Sequence, residues 1–134
     1  MAKTLLEMNS DLIGTFYTSC SIENIADRGR SAEIESVLVE TGSEYTWMPK
    51  TILEKIGVNR EKKDISFVMA NGQEVTRNVG FAIIRVEQFF TIDEVVFAEE
   101  GDLALLGARS LEGLNLRVDA RMNKLVAGGP VLAA

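Results

Sequence analysis

The sequence predicts a single all-β domain with two short helices, and three observations predict it. Short stretches of alternating apolar and polar residues follow one another at close spacing. Turn residues separate them, Asp27-Arg28-Gly29-Arg30 and Asn71-Gly72 among the clearest. Only two segments, 50–56 and 108–114, read as helices, and both are short. A chain of 134 residues is long enough for one real core, so the strands predict a barrel or a sandwich over residues 1–134.

Taken in order, residues 1–11 read as a loose lead-in. In 12–25, Phe16, Cys20 and Ile22 fall on one side of an extended chain. After the Gly29 turn, Ala32-Glu33-Ile34-Glu35-Ser36 alternates and runs into Val37-Leu38-Val39, a buried-strand signal that ends at Glu40. Tyr45-Thr46-Trp47-Met48 returns to the core. Pro49 then opens a helix over 50–56, with Ile52, Leu53 and Ile56 inward and Gly57 as its stop. Ile65, Phe67 and Met69 alternate up to Asn71-Gly72, and Val75 and Val79 alternate after it, which is the signature of a hairpin. Strands follow at 81–86 and 92–98, then the acidic loop Glu99-Glu100-Gly101-Asp102 and a fully apolar strand at 103–106. The second helix spans 108–114 and tolerates Gly113; a last pair of strands flanks a turn at 121–123, and 128–134 is a tail.

Composition narrows the chemistry. With 46% hydrophobic and 25% charged residues and two prolines, the chain is built to fold. Fourteen basic against 20 acidic residues give a charge of −6, which argues against nucleic acid or an anionic membrane as partner. No apolar run approaches the roughly 18 residues of a membrane span, and Met1-Ala2-Lys3-Thr4 leads into no signal-like stretch. A cytoplasmic location is expected. There is no histidine and one cysteine, Cys20, which excludes an internal disulfide, a Cys/His zinc site and any nucleophile–histidine pair. Cys20 itself reads as a packed thiol. No metal or other cofactor is expected, so acid–base chemistry falls to carboxylates, Lys, Tyr or water.

The carboxylate best placed for it is Glu40, at the corner Val39-Glu40-Thr41-Gly42-Ser43. By itself this is also a strand ending in a turn with a solvated glutamate. The acidic loop 99–102 lacks calcium-ligand spacing and reads as a solvated loop, Tyr45 and Trp47 as packing, and Lys62-Lys63 as surface. Phe89-Phe90 reads either as an exposed interface or as a buried corner.

The order of parts is specific: hairpin, strand, acid-Thr-Gly-Ser corner, Asn-Gly hairpin, two strands, Leu105-Leu106-Gly107, short helix. Over about residues 12–127 it resembles the retropepsin-like aspartic proteases, single-lobe relatives of the pepsins. The resemblance implies a retropepsin-like β-barrel in which Glu40 holds the catalytic position and Thr41, Gly42 and Ser43 form the active-site loop. Thr41 would bond across the dyad, Gly42 would permit close approach, and Ser43 would support the carboxylate. Residues 65–79 become the flap, with Met69, Ala70, Asn71 and Gly72 against the substrate groove, while Leu106 and Gly107 thread beside the loop. Two carboxyl groups sharing one proton are needed to activate water, and the chain has one acid-Thr-Gly. The implied enzyme is therefore a C2 homodimeric endopeptidase acting on extended peptides. Glu40 stands where the family has Asp, and Ala108 where retroviral members have Arg. The extra methylene on each arm predicts weak or lost activity, and so an alternative: an inactive dimer that binds extended peptides or mediates assembly.

Overall fold

The computed structural model describes residues 16–133. The expected lead-in over 1–11 and the first residues of the opening strand lie outside the described residues. The architecture is mostly β with two short helices. Strands β1 (Phe16–Glu23), β2 (Ser31–Val39), β3 (Thr46–Pro49), β4 (Lys62–Val68), β5 (Glu74–Val86), β6 (Phe89–Ala98) and β7 (Leu105–Leu106) form one mixed sheet. Helix α1 (Lys50–Lys55) follows β3, and α2 (Ala108–Leu114) leads into the separate hairpin of β8 (Leu116–Asp119) and β9 (Lys124–Ala127).

The sheet order is β1-β2-β7-β3-β6-β5-β4, and β1 also pairs with β5, so the sheet closes on itself. β5 can serve three neighbours because it is long. Its first half pairs with β4, its second half with β6, and Ile83–Arg85 with β1. Two pairings are parallel, β2 with β7 and β3 with β6, and they join segments far apart in the chain. Ile22, Val37, Met48, Leu53, Ile84 and Phe97 stand at the centre of the main core. Burial pushes the Cys20 thiol up to about 12, so it stays a protonated packing group. Among the described residues no helix is long and apolar enough to cross a membrane.

Several expected boundaries moved, each for a tertiary reason. The strands read at 75–79 and 81–86 are one strand, β5. Gly80 does not break it; a Cβ there would lie 2.4 Å from the Asn59 carbonyl, so the glycine admits a crossing backbone. The apolar run 103–106 contributes only Leu105 and Leu106 to a strand. Leu103 is 62% exposed, because the turn closed by Asp102 N–H on Glu99 O holds it outside the sheet. β6 begins at Phe89 rather than at 92, with Phe89 packed on the core and Phe90 outside under Arg28 and Arg85. In α2, Gly113 is more than tolerated, since a Cβ would meet Thr91 Oγ1 at 2.3 Å.

The closing seam carries a charge cluster. Glu23, at the end of β1, accepts Arg85 Nε from β5 at 2.8 Å and Arg28 Nε at 3.1 Å. The Arg85 hydrogen bond, joined by Arg28, holds its carboxyl below the ordinary value of 4.5. A carboxyl lowered by folding stabilises the folded state above its ordinary pKa, and that contribution fades as pH falls through the lowered value. Urea unfolding of Glu23→Gln should therefore show the largest deficit against wild type near neutral pH, shrinking to nothing in acid. A deficit independent of pH would mean that the seam is held by packing alone.

Candidate functional site

Glu40 is positioned by backbone before its side chain is considered. Leu38 and Val39 pair in parallel with Leu105 and Leu106, and the Glu40 N–H continues the ladder to Leu106 O at 3.0 Å. The chain then turns at once: Ser43 N–H donates to Glu40 O at 3.2 Å. Gly42 N–H donates to Glu40 Oε1 at 2.9 Å, so the carboxylate is fixed by its own loop. A Cβ on Gly42 would lie 3.0 Å from that oxygen, tight enough to push it away. Thr41 is exposed at the turn. The Ser43 hydroxyl donates to Tyr45 O at 2.9 Å rather than to the carboxylate. Among the described residues Glu40 forms no ion pair.

Behind the loop, Leu106 is fully buried and Gly107 is pressed between two carbonyls. A Cβ on Gly107 would lie 2.4 Å from Tyr45 O and 2.9 Å from Ser43 O. Its φ of −91° is open to any residue, so the demand for glycine is one of space. Gly107 N–H donates to Thr46 Oγ1 at 3.0 Å, Thr46 Oγ1 lies 2.5 Å from Ser110 Oγ, and Ser110 Oγ lies 2.9 Å from Asp93 Oδ2. An ionised carboxylate only accepts, so the directions follow. Ser110 donates to Asp93, Thr46 donates to Ser110, and Gly107 donates to Thr46. This relay crosses β3, α2 and β6 with Thr46 and Ser110 fully buried.

Opposite the loop stands the β4–β5 hairpin. Its tip turns through Gly72 N–H to Met69 O and Met69 N–H to Gln73 O, both 2.8 Å, with Gly72 at φ +85°. Asn71 Oδ1 accepts Gln73 N–H at 2.9 Å. Below the tip, Phe67 packs edge-on against Tyr45 at 5.2 Å and tilted against Trp47 at 5.4 Å. A second apolar cluster of Trp47, Val79, Val96 and Ala98 seats the hairpin on the barrel.

Loop and hairpin enclose a cleft of about 710 Å³. Of the residues the sequence marks for a site, Glu40, Gly42, Ser43, Met69 and Ala70 line it. Thr41, Asn71 and Gly72 sit at exposed turns outside it, and Leu106 and Gly107 support it from behind. The remaining walls are apolar and aromatic, with Leu38, Tyr45, Trp47, Leu103 and Leu105, together with Glu44 and Asp102. The acidic loop is tied to neighbouring elements: Asp102 pairs with Arg77 of β5 at 2.8 Å and Glu99 with Lys50 of α1 at 2.8 Å. Asp93, Ser110, Arg77 and Glu44 escaped sequence reasoning. A threonine inside the apolar run Tyr45-Thr46-Trp47-Met48 was the one local hint of a buried polar relay.

Of the three carboxylates that line the cleft, Asp102 is tied to Arg77, while Glu40 sits on the loop that the relay braces. Thr46→Val tests what holds it, because the swap keeps the shape and strips the relay of its central hydroxyl. It leaves Gly107 N–H without an acceptor and Ser110 without a donor in a dry site. A stability loss of about 1–3 kcal/mol is expected in denaturant unfolding. A neutral result would show that the relay is dispensable. The chain matches no protein-family model, and no curated protein proves similar to it in sequence.

Proposed function

We propose that this chain is a retropepsin-like half-site. Glu40 and its loop form one half of a shared-carboxyl centre, residues 65–79 form a flap over it, and a second copy completes the dyad about a two-fold axis. The observation that carries the reading is the parallel pairing of β2 with β7. It threads Leu105-Leu106-Gly107 beside the Glu40 loop, while Phe67–Ala70, on the approach to the hairpin tip, line the same cleft.

In the proposed reaction the two Glu40 carboxyl groups hold one proton between them. The ionised group takes a proton from water, whose oxygen attacks the peptide carbonyl carbon. The protonated group supplies a proton as charge develops, and the C–N bond breaks to release an amine and a carboxylic acid. An extended peptide suits the cleft, since its main chain can bond to the exposed tip while its side chains meet the apolar walls. A second reading, a peptide-binding dimer without turnover, draws on the longer arm of Glu40 and on its fixation by Gly42 N–H.

Two measurements test the proposal. Sedimentation at micromolar concentration should give a dimer, and monomer alone would remove the shared site. A cleavage assay on an unbiased peptide library across about pH 3 to 8 should show Glu40→Asp above wild type and Glu40→Gln inactive, with an acidic optimum. Closer carboxyl groups should raise the rate by up to about a hundredfold. Glu40→Asp as inert as Glu40→Gln at every pH would favour the binding module.

A further inference from the structure

The foot of the β4–β5 hairpin is irregular. A bulge interrupts the ladder between Lys62 and Ile65, and Asp64 sits there at φ 58°, left-handed without being glycine. Asp64 N–H leaves the backbone ladder for Asn78 Oδ1 at 3.1 Å. Above this break, residues 65–77 form one unit that rests on Tyr45 and Trp47 through Phe67. Such apolar contact tolerates sliding and separation. A directional tie is needed to hold the unit in one place.

Arg77 supplies one. Its Nε and Nη2 donate to Oδ2 and Oδ1 of Asp102 at 2.8 and 3.0 Å, and Nη1 donates to Thr76 O at 2.9 Å. This is a fork-on-fork pair, the geometry in which arginine and carboxylate fix each other's orientation. Both side chains are only 17% exposed. Asp102 Oδ2 also accepts Glu99 N–H at 2.8 Å, so the pair is anchored in the loop that walls the cleft with Gly101 and Leu103. Among the described residues it is the one ion pair between the hairpin above the bulge and the rest of the barrel. The Arg77 hydrogen bond also holds the Asp102 carboxyl below its ordinary range, as expected of a charge kept paired.

We propose that Arg77 and Asp102 form a latch that fastens the flap to the facing wall of the cleft, and that its release lets residues 65–77 lift about the bulge at Asp64 to admit a ligand. This rests on reading 65–79 as a flap, and not on any peptidase activity. Trp47, the one tryptophan of the chain, lies 5% exposed beneath Phe67 and reports the motion directly.

The test combines amide hydrogen exchange with acrylamide quenching of Trp47 in wild type, Arg77→Gln, Asp102→Asn and the double variant. Asn at position 102 keeps an acceptor for Glu99 N–H while losing the charge. Each single variant should speed exchange at 65–77 by about five- to tenfold, raise Trp47 quenching and leave 95–97 unchanged. The double variant should go no further than either single one, because one latch can be removed only once. Unchanged flap exchange and quenching, multiplied effects in the double variant, or equal acceleration at 95–97 would each overturn the latch. Arg77→Lys, which keeps the charge and loses the fork, carries the same readouts if Asp102→Asn does not fold. A wild-type hairpin exchanging as slowly as 95–97 would overturn the flap reading as well, whereas a mobile flap indifferent to the substitutions overturns the latch alone.

Discussion

The position that most constrains this molecule is Gly107. Its backbone lies so close to the Tyr45 and Ser43 carbonyls that no side chain fits between them. From that contact the neighbouring bonds follow. Ala108 N–H reaches Ser43 O at 2.7 Å, Arg109 N–H reaches Glu44 O at 3.2 Å, and Leu106 O takes Glu40 N–H at 3.0 Å. The loop 40–45 is thus held by the end of β7 and the start of α2 through main-chain bonds. The first turn of α2 spends its orphan N–H groups on the loop, so helix and loop are satisfied by one set of bonds.

Thr46, Ser110 and Asp93 add a polar pin through the same corner. A buried hydroxyl is costly when unpaired and strongly orienting when paired at both ends. Here each hydroxyl accepts one bond and donates one, and the series ends on a carboxylate. The corner that holds Glu40 is therefore specified twice, by close backbone packing and by a relay with a single consistent direction.

The two walls of the cleft are built differently. The Glu40 side is anchored through the barrel core, whereas the hairpin side is seated by aromatic contact and by Arg77 on Asp102. Asp102, Glu99 and Glu23 each hold a basic side chain. Glu40 and Glu44, which also line the cleft, remain outside such pairs among the described residues.

Much of this was legible in the residues. Alternation in β1, β2 and β4, the Asn71-Gly72 turn, Pro49 before α1 and Gly57 after it all act within a few positions, and local chemistry is what a sequence displays. The corner at Glu40 was readable for the same reason, as a strand signal broken by Thr41-Gly42-Ser43. What the tertiary structure alone decided came from partners distant in the chain. A run of four apolar residues does not say which of them will pair, and only the slot between β2 and β3 made Leu105 and Leu106 the strand and left Leu103 outside. Gly80 and Gly113 looked like breaks or concessions, and the crossing Asn59 backbone and the Thr91 side chain made them necessities. Arg77 and Asp102 are 25 residues apart, as ordinary in sequence as any surface charges. They became a bidentate pair because the pairing of β5 with β6, Val79 opposite Val96, brings the foot of the hairpin against the loop that follows β6.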